Sequence, residues 1–233
     1  MGSQSRHSRN KPKERGELIH LCFHGVGTCA QEREPGESAY WVPRELFLAT
    51  LDAVVGRDDV HLSFDDGNRS DVDVALPALV ERGLRADFFP LAGRLNDDKS
   101  LSAEDLRALR TAGMTIGTHG WHHVPWRGLG PEPIQRELVD ARRVLSDASG
   151  APVTIAALPL GRYDRRLLQE LRRQGYERVF TSDRFQAHPR DWLVPRYSIR
   201  ATDDLASIES LLAQPQRFRN LRNDLASRIK RLR

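Results

Sequence analysis

The sequence has only two cysteines among its 233 residues, Cys22 and Cys29. Two thiols are too few to indicate a disulfide framework, and the apolar run around Cys22 predicts a small buried side chain. No apolar run approaches the roughly 18 to 20 residues that a membrane-spanning helix needs. Residues 1–16 are polar and basic with no apolar stretch after them, so they do not resemble a secretory signal. We therefore expect a cytoplasmic, reducing location.

Net positive charge is confined to the two ends of the chain. Of the net charge of +4, residues 1–16 carry +4 and residues 217–233 carry +6, which leaves −6 for residues 17–216. Neither end has the interleaved aromatic residues that support base stacking, so a nucleic-acid partner is not expected. Apolar residues recur at near-helical spacing in the C-terminal segment, which favours packing on the body of the protein over contact with an anionic membrane. These residues are Phe218, Leu221, Leu225, Ile229 and Leu232.

Seven short apolar runs alternate with helical patterns. They predict strands at residues 18–23, 61–64, 85–91, 114–118, 153–158, 176–181 and 192–198. The helices between them include residues 131–149, where apolar side chains share one face and Gly150 ends the pattern. Because strands that alternate with helices are typical of parallel βαβ units, we predict an α/β fold, an irregular (β/α)7-type barrel in a single domain. The barrel spans residues 17–213, after a disordered basic tail at residues 1–16 and before a basic helix at residues 214–233.

Polar or glycine-containing segments follow four of the predicted strands. His24 follows the first strand, Asp65 and Asp66 the second, His119 the fourth, and the segment 159–161 the fifth. In parallel barrels these strand ends meet on one face, where the chemistry gathers. Two histidines four residues apart and one aspartate suit a catalytic metal, and the second aspartate could act as a base. Each motif alone is also ordinary, since Asp-Asp-Gly is common in turns and paired histidines occur on surfaces.

Three segments together resemble the motifs of the polysaccharide deacetylase family, also known as carbohydrate esterase family four or the NodB-homology domain. The residues Ser-Phe-Asp-Asp-Gly at 63–67 are similar to the first motif of that family. Residues 118–123, Thr-His-Gly-Trp-His-His, are similar to the second motif, a His-x-x-x-His on a loop. Leu-Pro-Leu-Gly at 158–161 is similar to the third. Order and spacing agree, and the resemblance covers residues 18–200.

The resemblance implies a role for each matching residue. Asp65 is expected to be the general base, and Asp66, His119 and His123 the ligands of one divalent transition metal. Zinc is the default metal, although cobalt, nickel or iron also suits such a site. The backbone N–H of Leu160 is implied as the donor to the oxyanion, a function that does not depend on the side chain.

Two departures from the family pattern change the expected machinery. Ala157 stands where the third motif usually begins with the arginine that steadies the base, so Asp65 must be oriented by another group, such as a different cation. The C-terminal Leu-x-His that supplies the general acid is absent, since residues 193–197 read Leu-Val-Pro-Arg-Tyr. A subset of the family carries this histidine on an N-terminal strand, and we predict that His24 protonates the leaving amine. One alternative is that His24 has a structural role, and the other is that His188 is the acid.

Aromatic and acidic residues near the motifs are candidates for substrate contacts, because aromatic faces commonly pack on sugar rings. The residues predicted to bind substrate are Trp41, Trp121, Tyr163 and Asp183. For Trp126 and Trp192 a packing role is at least as favoured as a contact with sugar. His122 is expected to lie outside the set of metal ligands.

The function implied by the resemblance is metal-dependent removal of an N-acetyl group from an amino sugar during surface polysaccharide biosynthesis. A cytoplasmic location favours a nucleotide-linked, lipid-linked or growing polymer substrate, with the basic C-terminus as a candidate for peripheral contact with the inner face of the membrane. Two alternatives remain open. One is a non-catalytic carbohydrate-binding member of the same fold, and the other is a hydrolase of a non-sugar amide or imide. The sugar, the acyl group and the oligomeric state are left undefined.

Overall fold

The structure is a computed structural model that describes residues 16–213 and 221–232. The strands in this part of the chain are β1 (Ile19–Phe23), β2 (Gly25–Val26), β3 (Trp41–Val42), β4 (Val60–Asp66), β5 (Ala86–Pro90), β6 (Thr115–Ile116), β7 (Ile155–Ala157), β8 (Arg178–Thr181), β9 (Leu193–Pro195) and β10 (Tyr197–Ser198). The helices are α1 (Arg44–Val54), α2 (Leu76–Glu81), α3 (Ala103–Thr111), α4 (Pro131–Ile134), α5 (Ala141–Ser149), α6 (Arg165–Arg173), α7 (Leu205–Ala213) and α8 (Leu221–Leu232).

Parallel strands close into a barrel from two hydrogen-bonded groups. One group has the order β10, β1, β4, β5, β6, and the other has the order β7, β8, β9. Thr118 joins the groups through a parallel bridge to Ala156. On the opposite side β9 pairs with β8 and β10 pairs with β1, so the chain passes from one group to the other at Arg196. The predicted (β/α)7-type barrel is confirmed, and its seventh strand is split into β9 and β10.

Local signals in the sequence account for two of the helical segments. Ser102 caps α3, because its hydroxyl accepts the Asp105 N–H at 3.1 Å while the Asp105 carboxylate accepts the Ser102 N–H at 2.8 Å. The predicted helix at residues 131–149 is present, and a wide π-helical turn, Gln135–Asp140, connects α4 to α5. Gly150 ends α5 with a φ of 74°, a left-handed conformation that glycine adopts at little cost.

Alternate strand residues face the barrel interior and the layer under the helices. In the outer layer, the ring of Phe64 stacks with those of Phe23 and Phe88, at centroid distances of 5.5 and 4.7 Å. Inside the barrel, the rings of Phe89 and Phe180 lie 5.1 Å apart. Burying each such side chain contributes about 1.5–3 kcal/mol, and the close packing on both faces holds the strand ends in fixed positions.

The predicted basic helix at the C-terminus corresponds to α8. The helix contacts the barrel through polar side chains. Leu225, Ile229 and Leu232, which the sequence favoured for this packing, are exposed. The predicted N-terminal tail up to residue 15, and Phe218 with the rest of residues 214–220, lie outside the described residues. Among the helices that the structure describes, none is long and apolar enough to cross a membrane.

Candidate active site

The carboxyl ends of the barrel strands surround a cleft of about 320 Å³. Strand ends form one side of this cleft, and the loop between β2 and β3 forms another, as expected for the chemically active face of a parallel barrel. Side chains that line it include His24, Glu34, Tyr40, Asp65, Asp66, His119, His123, Leu160 and Arg196.

Asp66, His119 and His123 converge as the sequence predicted. Oδ1 of Asp66 lies 3.6 Å from Nε2 of His119 and 3.6 Å from Nε2 of His123. One potential ligand atom from each of the three residues lies within 4.8 Å of the others. Oδ1 of Asp66 is buried and has no hydrogen-bond partner, an arrangement that costs free energy unless another group contacts the oxygen. The donor set therefore fits a divalent transition metal with open coordination positions.

The second ring nitrogen of each histidine is held by an acceptor, which fixes the tautomer. Nδ1 of His119 donates to the carbonyl of Ala157 at 2.9 Å, and Nδ1 of His123 donates to Oε2 of Glu34 at 2.5 Å. The Nε2 atoms of both rings thereby face Asp66. Burial lowers the pKa of His119 to about 4, so its imidazole is neutral and able to act as a ligand at neutral pH. Such outer partners orient the ligands of metal sites.

Backbone strain is concentrated at the site. Asp66, His123 and Leu160 all have positive φ angles, of 74°, 58° and 55°. Only two other non-glycine residues in the described part of the chain share this conformation, Asn96 and Arg184. Each such residue costs about 1–3 kcal/mol and persists where the surrounding structure holds it, which is common at functional sites.

Asp65 is paired with a cation that the sequence motifs did not assign. Nη1 and Nη2 of Arg196 donate to the two carboxylate oxygens of Asp65, each at 2.7 Å, and Nη1 also donates to Oγ of Ser63 at 3.0 Å. Both charged side chains are buried. Burial by itself raises the pKa of Asp65, but the adjacent Arg196 guanidinium outweighs it and holds the pKa well below its ordinary value. Asp65 is therefore ionised and fixed in orientation.

His24 lies next to this carboxylate. One of its ring nitrogens is within 4.8 Å of an Asp65 oxygen, and its ring centroid is 4.8 Å from that of Tyr40. Nδ1 of His24 is buried without a hydrogen-bond partner, although the ring lines the cleft. An imidazole in this position can exchange a proton with a molecule in the cleft.

Leu160 lies in a tight turn, Pro159–Gly161, at the edge of the cleft. Its side chain is exposed, so the role expected of this residue depends on its backbone N–H. Gly161 follows in the same turn, and a Cβ atom there would lie 2.1 Å from Oγ of Ser182. A φ of 59° together with this close approach favours glycine at the position.

Glu137, in the π-helical turn between α4 and α5, holds the loop between the two histidines by hydrogen bonds. Its buried carboxylate accepts the backbone N–H of Trp121 at 2.7 Å, the N–H of His122 at 3.2 Å and Nε1–H of Trp126 at 3.2 Å. Nδ1 of His122 lies 2.9 Å from the same carboxylate, so His122 faces away from the cluster of potential ligands. Four contacts from one loop converge on a single side chain.

The residues predicted to bind substrate are not brought to the cleft lining. Trp41 packs on Gly25, where a Cβ atom would lie 2.3 Å from the indole, and Trp121 lies under the Arg136 guanidinium at 4.7 Å. The hydroxyl of Tyr163 donates to Asp183 at 2.6 Å, and both side chains are directed to α8. The four side chains are thus engaged in packing or hydrogen bonds within the protein. The residues concerned are Trp41, Trp121, Tyr163 and Asp183.

Other predicted positions can be placed as well. Trp126 is buried and Trp192 is half-buried under the Arg172 guanidinium, so of the two open roles both side chains have the packing one. His188, the alternative acid, is exposed in a loop away from the cleft lining.

The motifs missed Arg196, Glu34 and Glu137. A signal existed for Arg196, because residues 194, 196 and 198 share one face of the predicted seventh strand and that face points into the barrel. Glu34 lies in an irregular loop and contacts a histidine 89 positions away. Nothing in the local pattern of the sequence indicates that contact.

Solved structures with the same fold are deacetylases. Deacetylase PplD of Streptococcus pyogenes, solved with acetate, matches with a TM-score of 0.71 and 18% identity over 85% of this chain and 99% of that chain. BC0361, a polysaccharide deacetylase from Bacillus cereus, matches with a TM-score of 0.72 and 16% identity over 84% and 69%. The chain therefore shares the (β/α)-barrel fold of these two deacetylases.

The sequence comparisons define the family. The model of the polysaccharide deacetylase family matches residues 52–179, and the chain belongs to that family. YxkH of Bacillus subtilis (strain 168), whose name refers to the same family, is 27% identical over 142 residues, which are 60% of this chain and 51% of YxkH. The chain therefore spans about half the length of the curated relative that it matches.

Proposed function

We propose that the protein is a metal-dependent deacetylase that removes an N-acetyl group from an amino sugar of a glycan or glycan precursor. The observation that carries the proposal is the convergence of Asp66, His119 and His123, in which one buried oxygen of Asp66 has no hydrogen-bond partner. A second carboxylate, that of Asp65, lies beside them and is held by Arg196. Membership of the polysaccharide deacetylase family supports the same reaction.

Asp66, His119 and His123 would hold the metal. When bound, a zinc, cobalt, nickel or iron ion supplies a Lewis acid that polarises the acyl oxygen and lowers the pKa of water. The neutral state of His119 leaves its ligand atom ready without proton loss, and the outer partners of both histidines orient the rings.

The remaining side chains carry the proton transfers. Asp65 accepts a proton from the attacking water, since its oxygens retain free lone pairs beyond those bound by Arg196. His24 donates a proton to the departing nitrogen, and the backbone N–H of Leu160 stabilises the oxyanion. A positioned base or acid typically contributes about 10²–10⁴-fold to the rate.

The cleft limits the part of the substrate that enters. A volume of about 320 Å³ is at the small end of the range for ligand pockets, which favours one acetylated sugar unit in the site while the rest of the molecule lies outside. A sugar linked to a nucleotide, a lipid or a growing polymer meets this requirement. We place the reaction in surface polysaccharide biosynthesis.

Metal content and acetate release, measured together, test the proposal. The purified chain should contain about one transition metal, His119→Ala should lose it, and Asp65→Asn should keep it. Only the wild-type protein should release acetate at an appreciable rate from N-acetylglucosamine oligomers, because Asp65→Asn lacks the base. Absence of metal after incubation with zinc or cobalt would refute the proposed site, and turnover by Asp65→Asn would remove Asp65 as the base.

A further inference from the structure

Helix α8 is attached to the barrel by its polar face. Nδ2 of Asn223 donates to the carbonyl of Arg184 at 3.0 Å, and Nζ of Lys230 donates to Asp183 at 2.6 Å. Between them, Oγ of the buried Ser227 is 2.7 Å from the hydroxyl of Tyr163. The spacing of four and three residues places these side chains on one face of the helix.

The opposite face of α8 is apolar and exposed. Leu225, Ile229 and Leu232 are 59%, 43% and 79% exposed. At 100° per residue these three side chains point away from the face that holds Ser227. Helices on the surface of soluble proteins normally bury their apolar stripe and expose their polar face. In α8 this orientation is reversed, and contacts with the other described residues account for the polar face alone.

Basic side chains border the exposed apolar stripe. Arg222 and Arg228 are exposed and lie on its two sides. Arg228 pairs with Asp224 at 2.9 Å, but its side chain is 70% exposed, so this surface pair holds the guanidinium only weakly. Apolar residues flanked by arginines are typical of helices that lie in the interface of an anionic bilayer.

We propose that α8 binds the surface of an anionic lipid bilayer through Leu225, Ile229 and Leu232, with the flanking arginines on the lipid phosphates. Charge complementarity supports this partner, because residues 217–233 carry +6 while residues 17–216 carry −6. An anionic surface therefore attracts this segment and repels the body of the protein. A protein interface needs about 800 Å² per partner, from roughly 20–30 residues, far more than three side chains on a twelve-residue helix provide.

The attachment of α8 also relates the bilayer to the cleft. Asp183, which binds Lys230, follows Ser182, and Ser182 lines the cleft. A bilayer that contacts α8 would lie near this edge of the barrel. This consequence rests on the proposed function, and it favours a lipid-linked substrate over a soluble one.

Vesicle sedimentation of the full chain tests the proposal. We expect the wild-type protein to pellet with phosphatidylcholine vesicles that contain about one third phosphatidylglycerol, less so at high salt, and not with pure phosphatidylcholine. The variant Leu225→Ser/Ile229→Ser should partition at least tenfold more weakly, because burying either side chain in lipid is worth more than a factor of ten. The control Val55→Ser/Val80→Ser removes two side chains that are 50% and 51% exposed elsewhere, and it should bind like the wild type.

Three results would overturn the proposal. They are equal pelleting of the wild type and the α8 variant, equal binding to neutral vesicles, and a wild-type dimer in sedimentation velocity that the α8 variant abolishes. Circular dichroism and acetate release from a soluble oligomer should be the same in the α8 variant and the wild type. Vesicle binding without acetate release in the wild type would contradict the proposed function and leave the membrane contact intact.

Discussion

At the scale of single residues, the pairing of Asp65 with Arg196 explains how the site can tolerate Ala157. The family pattern places an arginine at position 157, and the sequence indicated that another group must orient Asp65. In the structure this group is Arg196, 131 positions along the chain from Asp65. The junction of β9 and β10 brings the guanidinium to the same carboxylate from another strand. Removing one partner of a buried ion pair typically costs about 3–5 kcal/mol, so the pair also matters for stability.

Arg196→Gln should move the pH dependence of the proposed reaction. Burial raises the pKa of Asp65 and Arg196 lowers it, so loss of the cation leaves the pKa higher. The acidic limb of the kcat/KM profile should then shift to higher pH, with at least about a tenfold loss at neutral pH because the base is less well held. Arg57→Gln, which alters a surface ion pair, is the matched control. If the acidic limb does not shift in Arg196→Gln, Arg196 does not control the pKa of Asp65.

The double variant Arg196→Ala/Ala157→Arg asks whether the two positions are equivalent. The smaller side chain at 196 opens space inside the barrel, where Ala157 is fully buried. Partial recovery of kcat/KM relative to Arg196→Ala alone is expected, because the guanidinium returns near Asp65 from the family's usual position. If Ala157→Arg gives no recovery in a folded protein, the equivalence fails.

At the scale of elements, the loop after β6 depends on the helical segment that follows it in the chain. His119 and His123 are separated by a loop whose N–H groups at Trp121 and His122 bind Glu137. The π-helical turn Gln135–Asp140 carries this glutamate, and wide turns of that kind often occur where a side chain must be displaced for function. The loop conformation, and with it the distance between the two histidines, is thereby set by tertiary contact.

Glu137→Gln should weaken metal binding more than it weakens the fold. The amide has only one acceptor oxygen, and its NH2 group opposes a loop N–H. We expect the zinc affinity, measured by competition with a chelator, to fall by about 10- to 100-fold, as for other outer partners of metal sites. The visible spectrum of the cobalt form should change as well. Glu132→Gln, at an exposed position of α4, is the control. Equal affinities in the two variants would assign Glu137 to stability alone.

At the scale of the whole molecule, the barrel interior contains ionisable groups far from the cleft lining. The imidazole of His20 stacks on that of His61 at 4.7 Å and meets the edge of Phe180 at 5.9 Å. Burial, reinforced by His61 and Arg196, lowers the pKa of His20 to about 3. The folded barrel therefore contains a neutral imidazole at pH values where the unfolded chain binds a proton.

This burial predicts a pH-dependent loss of stability. The folded pKa of His20 is below the unfolded value of 6.5, so the stabilisation is complete above pH 6.5 and declines as the pH falls toward 3. Between about pH 7.5 and pH 5 the loss through this residue is about 2 kcal/mol. In urea unfolding experiments, the free energy of unfolding of His20→Phe should not show this contribution to the decrease at low pH. The exposed His188→Gln should behave like the wild type, and identical pH slopes in all three proteins would refute the argument.

The sequence alone determined the features that depend on neighbours along the chain. Apolar runs and their spacing predicted the seven strands, and the positions of Asp65, Asp66 and His119 after strands predicted that these residues would lie on one face of the barrel. These predictions succeeded because alternation, capping and turn chemistry act over a few residues, and parallel strands leave little choice about which ends come together.

Only the tertiary structure decided which groups surround those residues. Arg196 on Asp65, Glu34 on His123 and Glu137 on the loop are contacts between segments 15 to 131 positions apart. The orientation of α8 and the burial of Tyr163 also depend on which surfaces meet when the barrel closes. The local pattern of hydrophobic and polar residues does not specify such pairs, because each partner is equally compatible with many neighbours until close packing selects one.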